Sequence, residues 1–340
     1  MEIVFSLVVY LIFASIFLFG LKKDESLSRE ECYKRLNGMR GIMALEIVIG
    51  HVVRYETSYL MPFGKFMLIG VGFFFFVSGW GLCKSFHEKS GYLDTFLKAR
   101  FGYLTGTALI ALGVTSLIAV VSPISTNYNS FSWEIKTIIQ SIFVRTNWYI
   151  RELLLLYLFF YLIYKFVKKK QLLFLTGFVI AIAGGLYMLG YVRCWYASIL
   201  TFPLGFLFYE NYSNIVCFLK SMKGKVFVAV CGIVGLSSIL LKRELFLPTL
   251  ITNNALCICT IVLLVLFSCA YYTDNPVKKF LNKYATELFL FQFIFLAIAE
   301  KAEWNYWYRM VFVVGMDILV SVLVHPVFIF LKRICNKTQK

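Results

Sequence analysis

Long apolar runs recur along this chain, and each is long enough to cross a lipid bilayer. A helix needs about 20 apolar residues to span a hydrocarbon core of about 30 Å, and such runs follow one another from residue 3 to residue 331. Hydrophobic residues make up 60% of the chain and charged residues 15%, which is not the balance of a soluble globular protein. No stretch between the runs is large enough for a soluble domain. The pattern predicts an all-α, polytopic transmembrane helix bundle.

The runs predict about eleven spans. The first, 3–20, has neither the basic start nor the small-residue cleavage site of a signal peptide, so residues 1–21 are assigned to an N-terminal transmembrane helix. Residues 22–41 then form a cytoplasmic linker, 42–331 the main transmembrane domain, and 332–340 a basic cytoplasmic tail. The ten spans after the first are predicted at 42–61, 66–83, 102–122, 148–166, 171–190, 195–210, 226–241, 250–271, 285–300 and 310–331.

Basic residues are divided unevenly between alternate connecting segments. Of the 34 Lys and Arg residues, 24 lie in one set: 22–41, 84–100, 165–170, 220–225, 278–283 and 332–340. Because Lys and Arg are retained on the cytoplasmic side, we expect this set of segments to lie on the cytoplasmic side of the cell membrane. The N-terminus and loop 123–147 are then expected on the outer side. The net charge of +16 is largely explained by this excess of basic residues on the cytoplasmic side, where they are attracted to the anionic lipid bilayer. No nucleic-acid partner is therefore expected.

The second predicted span carries ionisable residues, which are costly inside a bilayer and therefore mark functional sites. Arg40 and His51 are separated by eleven positions, which at 100° per residue is about 20° past three full turns, so they share one helix face. The same spacing is about 16 Å along the axis, roughly half the hydrocarbon thickness. A guanidinium at the inner surface suits a phosphate-bearing ligand, and an imidazole near mid-membrane suits proton transfer.

A structural interpretation of the same residues is open as well. A single intramembrane histidine can hydrogen-bond a neighbouring helix, and Arg40 can be an anchor at the membrane surface. Glu46 is about 140° from His51 around the helix, which argues against a dyad within this span.

Three motifs resemble those of the acyltransferase-3 family of membrane O-acyltransferases. Arg40 with His51 matches the R-x10-H signature, preceded here by Asn37-Gly38-Met39. The run 72–80, GFFFFVSGW, resembles the family's F-F-x-x-S-G-F segment, and Asn147-Trp148-Tyr149-Ile150 resembles its W-F/Y-L helix start. The likeness runs from about residue 35 to the C-terminus and implies a ten-helix core, to which the first helix is an addition.

The resemblance implies transfer of an acyl group, usually acetyl, from cytoplasmic acyl-CoA to a hydroxyl of a saccharide or glycolipid. His51 is then the catalytic histidine, acting as general base or as transient acyl carrier. Arg40, Arg100 and Lys98 are expected to bind the phosphates of acetyl-CoA, the donor substrate. No permanently bound cofactor and no metal site are expected, since the cysteines form no C-x-x-C pair and do not cluster with histidine along the chain. Proteins of surface-polysaccharide biosynthesis are possible partners.

Other residues are assigned to the acceptor side of the site. Glu152 is expected to orient His51 or to bind acceptor hydroxyls, although a plain ion pair with its neighbour Arg151 is the alternative. The residues expected to bind the acceptor are Arg54, Glu56, Trp148 and Tyr149.

Three family patterns are altered. The R-x-x-R pair reads Arg100-Phe-Gly-Tyr103, the S-Y-x-x-Y-L-x-H pattern reads ATELFLFQ at 285–292, and the E-x-P element reads Val324-His325-Pro326. For His325 the sequence favours a local structural role beside the proline.

Functions of other classes fit the same composition. A flippase or exporter of a glycolipid would line its path with Arg40, Glu46, His51 and Arg54, although no matching halves or paired broken helices are visible in the sequence. A sensor without catalysis is a further alternative.

Overall fold

A computed structural model describes residues 2–24, 28–54, 59–121, 148–240 and 249–337. The predicted outer loop 123–147 and Glu56 lie outside these ranges. The first half consists of α1 (Glu2–Leu18), β1 (Leu21–Lys23), α2 (Arg29–Asn37), α3 (Arg40–Val52), α4 (Met61–Glu88), α5 (Tyr92–Phe96), a π turn (Leu97–Phe101) and α6 (Gly102–Val121). The second half consists of α7 (Trp148–Phe166), α8 (Gln171–Met188), a 3-10 turn (Arg193–Trp195), α9 (Thr201–Glu210), α10 (Tyr212–Lys220), α11 (Met222–Leu240), α12 (Thr249–Ala270), β2 (Tyr271–Thr273), α13 (Pro276–Lys283), α14 (Ala285–Lys301) and α15 (Tyr306–Lys337).

Several helices have the length and composition of membrane spans. Among the described residues, five helical segments qualify: Phe66–Glu88, Tyr92–Val121, Gln171–Met188, Thr249–Ala270 and Tyr306–Cys335. Helices α13 and α14 qualify together as one broken span with a bend of 71°, and α1 is a shorter apolar helix. The predicted all-α, polytopic membrane bundle is therefore confirmed, while the count of eleven spans stays a prediction.

The core forms around α3, which packs against α4, α13, α14 and α15. Every residue of α3 is buried except Arg40 and His51, the two residues that the sequence singled out. The span predicted at 42–61 was too long, because α3 has only 13 residues and a length of about 20 Å. It ends at Val52, just before the polar run that begins with Arg54.

Helices α4 and α9 cross so closely that their contact requires glycine. A Cβ atom added to Gly79 would lie 2.1 Å from the carbonyl oxygen of Phe202, and one added to Gly205 would lie 2.3 Å from that of Phe76. Small residues at membrane helix crossings allow this approach and the van der Waals contact that comes with it. The crossing fixes the inner part of α4, which forms one wall of the cavity described below.

Gly205→Ala is therefore expected to destabilise the protein by about 1–3 kcal/mol, the cost of overpacking a close interface. Gly184→Ala, in α8, is the matched control because a Cβ there meets nothing within 4 Å. Thermal unfolding of the purified protein in detergent measures both. Equal unfolding temperatures for the two variants would contradict the close crossing.

The described parts of the predicted linker, 22–24 and 28–41, are folded onto the bundle. Strand β1 pairs antiparallel with β2, with Leu21 opposite Thr273. Helix α2 begins where the Ser28 side chain accepts a hydrogen bond of 3.1 Å from the amide of Glu31. The buried Arg35 donates to the carbonyl of Ser268 on α12 at 3.1 Å and pairs with Asp24. These contacts hold the residues that lead into α3.

Candidate functional site

A cavity of about 730 Å³ lies between α3, α4, α6, α7, α14 and α15. The exposed Lys283 and Lys332 mark its mouth. Three buried rings, Phe74, Tyr149 and Phe289, line its deep end, and we call them the aromatic floor. Their centroids are 4.9–6.3 Å apart, from Tyr149–Phe289 at 4.9 Å to Phe74–Tyr149 at 6.3 Å. The cavity thus has a polar entrance and an apolar end.

Basic side chains dominate the polar part of the wall. They come from five different segments of the chain: Arg40, Lys84, Arg100, Lys283 and Lys332. The Arg40 guanidinium donates to the Thr286 hydroxyl at 3.2 Å, and its Cζ lies 6.0 Å from the centroid of Phe74 in the floor. Arg40 therefore lies between the entrance and the floor. Such a wall suits a ligand with several negative charges and an apolar end.

Salt bridges and ring contacts hold Lys84 beside Tyr33 at the edge of the wall. Lys84 Nζ is 3.0 Å from a carboxylate oxygen of Glu30 and 5.5 Å from the centroid of the Tyr33 ring. The ammonium group of Lys84 keeps the pKa of Glu30 below its usual value. Burial raises the pKa of the Tyr33 hydroxyl, and the charges of Arg40, Arg100 and Lys84 oppose that rise. Three cations of the wall, those of Arg40, Arg100 and Lys84, therefore act on the Tyr33 hydroxyl.

The π turn Leu97–Phe101 places Arg100 in the wall. Its Nε donates to the Tyr92 hydroxyl at 3.3 Å, which fixes the guanidinium. Lys98, on the same turn, is exposed and is not a lining residue. Single π turns inside helices are frequent at functional sites. The structure therefore brings Arg40 and Arg100 together and leaves Lys98 outside this group.

A histidine and a glutamate form a hydrogen-bonded pair in the same wall. His325 Nδ1 and Glu287 Oε1 are 2.6 Å apart, and both residues line the cavity. A side-chain hydrogen bond therefore joins α14 to α15 in the wall. Glu287 is the one acidic residue in the described lining, and its pairing with His325 reduces its repulsion of an anion in the cavity.

His51 lies beyond the floor. It is not among the lining residues, and its ring contacts Phe293 with a centroid distance of 4.7 Å. Phe293 is one turn along α14 from Phe289 of the floor, a rise of about 6 Å. The partly exposed imidazole is next to the exposed Arg54. The α3 helix thus presents Arg40 to the cavity and His51 to the opposite end of the bundle.

Several predicted acceptor-side residues gather around the turn Arg193–Trp195. The Trp148 ring is 6.0 Å from that of Trp195. Burial raises the pKa of the Cys194 thiol to about 11, with the nearby Glu152 charge adding to the shift and the Arg54 charge opposing it. Trp148 therefore contacts this turn, the charges of Arg54 and Glu152 both act on its Cys194 thiol, and Arg54 follows His51 by three residues.

Two predictions for this region change. Glu152 is buried, and neither of its carboxylate oxygens has a hydrogen-bond partner within the described part of the chain, so it does not orient His51 there. Tyr149 belongs to the cavity floor instead of the acceptor side. Glu56 is outside the described residues.

A family model described as an acyltransferase domain, Acyl_transf_3, matches residues 33–326. The chain belongs to the acyltransferase-3 family. No curated protein and no solved structure gave a match. The protein is therefore a membrane acyltransferase, and the matched region begins in α2 and contains the whole wall of the cavity except Ile329, Phe328 and Lys332.

Two departures from the acyltransferase-3 motifs meet in space. Glu287 lies in the altered S-Y-x-x-Y-L-x-H segment and His325 in the altered E-x-P element, and they form the pair described above. The sequence indicated only a structural role for His325 beside Pro326 and no role for Glu287. The available signal was that both patterns changed together and gained groups of complementary chemistry.

Proposed function

We propose that this acyltransferase transfers an acetyl group from cytoplasmic acetyl-CoA to a hydroxyl of an extracytoplasmic or lipid-linked saccharide. The observation that carries the proposal is the separation along α3 of Arg40, in a basic cavity, from His51, at the opposite end of the bundle. This arrangement suits an enzyme whose donor and acceptor arrive from different sides of a membrane.

The cavity supports a donor of the acyl-CoA class. Its entrance offers guanidinium and ammonium groups for phosphates, and Arg40 and Arg100 are the forked donors that match phosphate geometry. Its aromatic floor offers an apolar end for the acyl-pantetheine arm. The thioester must pass the floor to reach His51, and the Phe289–Phe293 face of α14 connects the two, since Phe289 lines the cavity and Phe293 contacts His51.

The chemistry then rests on His51. As a general base, its imidazole takes the proton of the acceptor hydroxyl while the oxygen attacks the thioester carbonyl and the CoA thiolate leaves and is protonated. As an acyl carrier, the imidazole attacks the carbonyl first, releases CoA, and then passes the acetyl group to the hydroxyl. Both routes need His51 accessible from the acceptor side, where it is partly exposed.

The acceptor is assigned to the neighbourhood of Arg54, Glu152 and Trp148. Indole rings stack on sugar faces, and an unpaired buried carboxylate offers two acceptors for hydroxyl groups. Glu56, which lies outside the described residues, is assigned to acceptor binding as well.

The orientation follows from the basic segments. Lys84, Lys283 and Lys332 come from three segments predicted to face the cytoplasm, and all three line the cavity. Their convergence supports a cytoplasmic entrance, with the N-terminus outside, the C-terminus inside and the protein in the cell membrane.

The test uses purified protein in proteoliposomes with labelled acetyl-CoA and a glycolipid extract of the host. Release of CoA and label on the glycan, both dependent on the extract, are expected. Movement of the glycolipid across the bilayer without acetylation would support the transporter alternative instead, and label on a non-saccharide lipid would reject the acceptor class.

Arg100→Ala is expected to raise the KM for acetyl-CoA about tenfold, since a hydrogen bond to a charged group contributes about 1.5–3 kcal/mol. Lys98→Ala removes the same charge from the same turn, but Lys98 lies outside the cavity lining. The KM of this variant for acetyl-CoA is therefore expected to stay within about twofold of the wild-type value. Steady-state kinetics with varied acetyl-CoA measure both. Equal effects of the two substitutions would show that only the overall charge matters.

A further inference from the structure

Three possible metal ligands meet where α4 and α9 end. Cys83 and His87 are one turn apart on α4, and Glu210 is the last residue of α9. A donor atom from each, Sγ, a ring nitrogen and a carboxylate oxygen, all lie within 4.8 Å of one another. Cys83 Sγ and Glu210 Oε1 are 3.9 Å apart.

The fold creates this cluster through the close crossing of the two helices. Gly79 and Gly205 bring the backbones into contact, and Cys83 and His87 follow Gly79 along the same helix. The His87 ring stacks on Tyr209 with a centroid distance of 5.3 Å and an interplanar angle of 8°. This contact holds the imidazole next to Glu210. Sequence spacing gives only two of the three ligands, Cys83 and His87 one turn apart, because Glu210 is 127 residues from Cys83.

The donor set has the chemistry of a zinc site. A thiolate, a neutral imidazole and a carboxylate carry two negative charges, which balance Zn²⁺, and these three ligand types bind zinc at about 2.0–2.3 Å. Coordination requires the donor atoms to move to roughly 3.5 Å from one another. The side chains of His87 and Glu210 are exposed and can make that adjustment, whereas Cys83 is fully buried and fixed.

The surroundings supply one more polar group and one opposing charge. The Tyr164 hydroxyl interacts electrostatically with Cys83 and Glu210. It is buried and has no hydrogen-bond partner among the described residues. A water in the fourth coordination position would give it one. The cation of Arg29 is held nearby by the Tyr209 ring at 3.9 Å and donates to the Tyr209 carbonyl at 3.2 Å. It lowers the net negative charge of the site without occupying a ligand position.

We propose that Cys83, His87 and Glu210 bind one Zn²⁺ ion that joins the end of α4 to the end of α9. Three protein ligands leave the fourth position for water. The ion is outside the cavity lining, so its expected role is to fix the α4 wall, which carries Ser78 and Gly81 of the cavity. The proposal is independent of the donor and acceptor assigned above.

The test uses the full-length protein, purified without a histidine tag and stripped with a chelator. Titration with Co²⁺ is expected to give one equivalent with the thiolate charge-transfer and visible bands of a four-coordinate Cys-ligated site, and Zn²⁺ is expected to displace it. Cys83→Ser is expected to remove the charge-transfer band, and Glu210→Gln to weaken Zn²⁺ binding at least about tenfold.

The control is Cys217→Ser, which removes an exposed cysteine of α10 and is expected to leave both the spectrum and the affinity unchanged. Because Glu210 is exposed, its substitution tests the site in a folded protein if Cys83→Ser fails to fold. Less than a stoichiometric amount of bound Co²⁺, a charge-transfer band that survives Cys83→Ser, or unchanged Zn²⁺ affinity in Glu210→Gln would each overturn the proposal.

Discussion

His51→Ala is expected to lower the rate of acetyl transfer about 10³-fold, the middle of the range for loss of a positioned general base or acyl carrier. The affinity for acetyl-CoA is expected to stay at its wild-type value, because His51 is not a lining residue of the donor cavity. This combination of lost turnover and retained binding distinguishes a chemical role from a structural one. Acetylation of host glycan and equilibrium binding of labelled acetyl-CoA measure the two quantities.

His51→Gln is the control for packing. Glutamine keeps much of the contact with Phe293 but cannot take up a proton at neutral pH. The His51→Gln variant is therefore expected to be as inactive as His51→Ala and more stably folded. Normal acetylation in either variant, at matched membrane levels, would remove His51 from the mechanism. A loss of acetyl-CoA binding equal to the loss of turnover would assign it to the structure of the bundle instead.

The same protein distinguishes the two routes through His51. If the imidazole is a general base, labelled acetyl-CoA without acceptor leaves no label on the protein. If it is an acyl carrier, the label accumulates on His51 and is discharged when acceptor is added. Because acyl-imidazoles hydrolyse readily, the trapping step needs rapid acid quenching and peptide mapping.

The sequence predicted the class of fold and the shared helix face of Arg40 and His51. Apolar runs of span length leave helices as the main option in a bilayer, and helical periodicity placed Arg40 and His51 on one face without any knowledge of the neighbouring helices. Their shared property, that they alone on α3 are not buried, follows from that periodicity. The end of α3 at Val52 was missed, because the predicted span was given the full length of a bilayer crossing and was carried past the polar residues that begin with Arg54.

Other parts of the site depend on contacts between distant segments, which one sequence does not show. Arg100 lines the cavity and the exposed Lys98 does not, because residues two positions apart on a helix point in nearly opposite directions. One sequence does not show which of those two faces meets the other helices. Glu287 and His325 meet across two helices. Tyr149 was assigned to the acceptor side from its position at a helix start, yet its ring packs against Phe289 at the cavity floor.

Arg40→Ala is expected to lower kcat/KM for acetyl-CoA about 100-fold, at the upper end for a charged hydrogen-bond donor facing phosphate. Arg40 is closer to the aromatic floor than the lysines at the mouth, so it contacts the ligand where water is scarcest and the charge interaction is least screened. The exposed Lys283 is the comparison: Lys283→Ala is expected to cost about threefold or less, as surface charges do.

Acetyl-pantetheine, which lacks the phosphates, separates the role of Arg40 in donor binding from a role in folding. If Arg40 binds phosphate, wild type prefers acetyl-CoA over acetyl-pantetheine by at least the factor that Arg40→Ala loses, because Arg100 and the wall lysines contribute as well. The variant uses acetyl-pantetheine nearly as well as wild type does. Arg40→Lys is expected to recover part of the preference, because it restores the charge without the forked geometry. Equal losses with both donors would mean that Arg40 supports α3 through Thr286 and not the donor, and the phosphate site would then have to be built from Arg100 and the lysines of the wall.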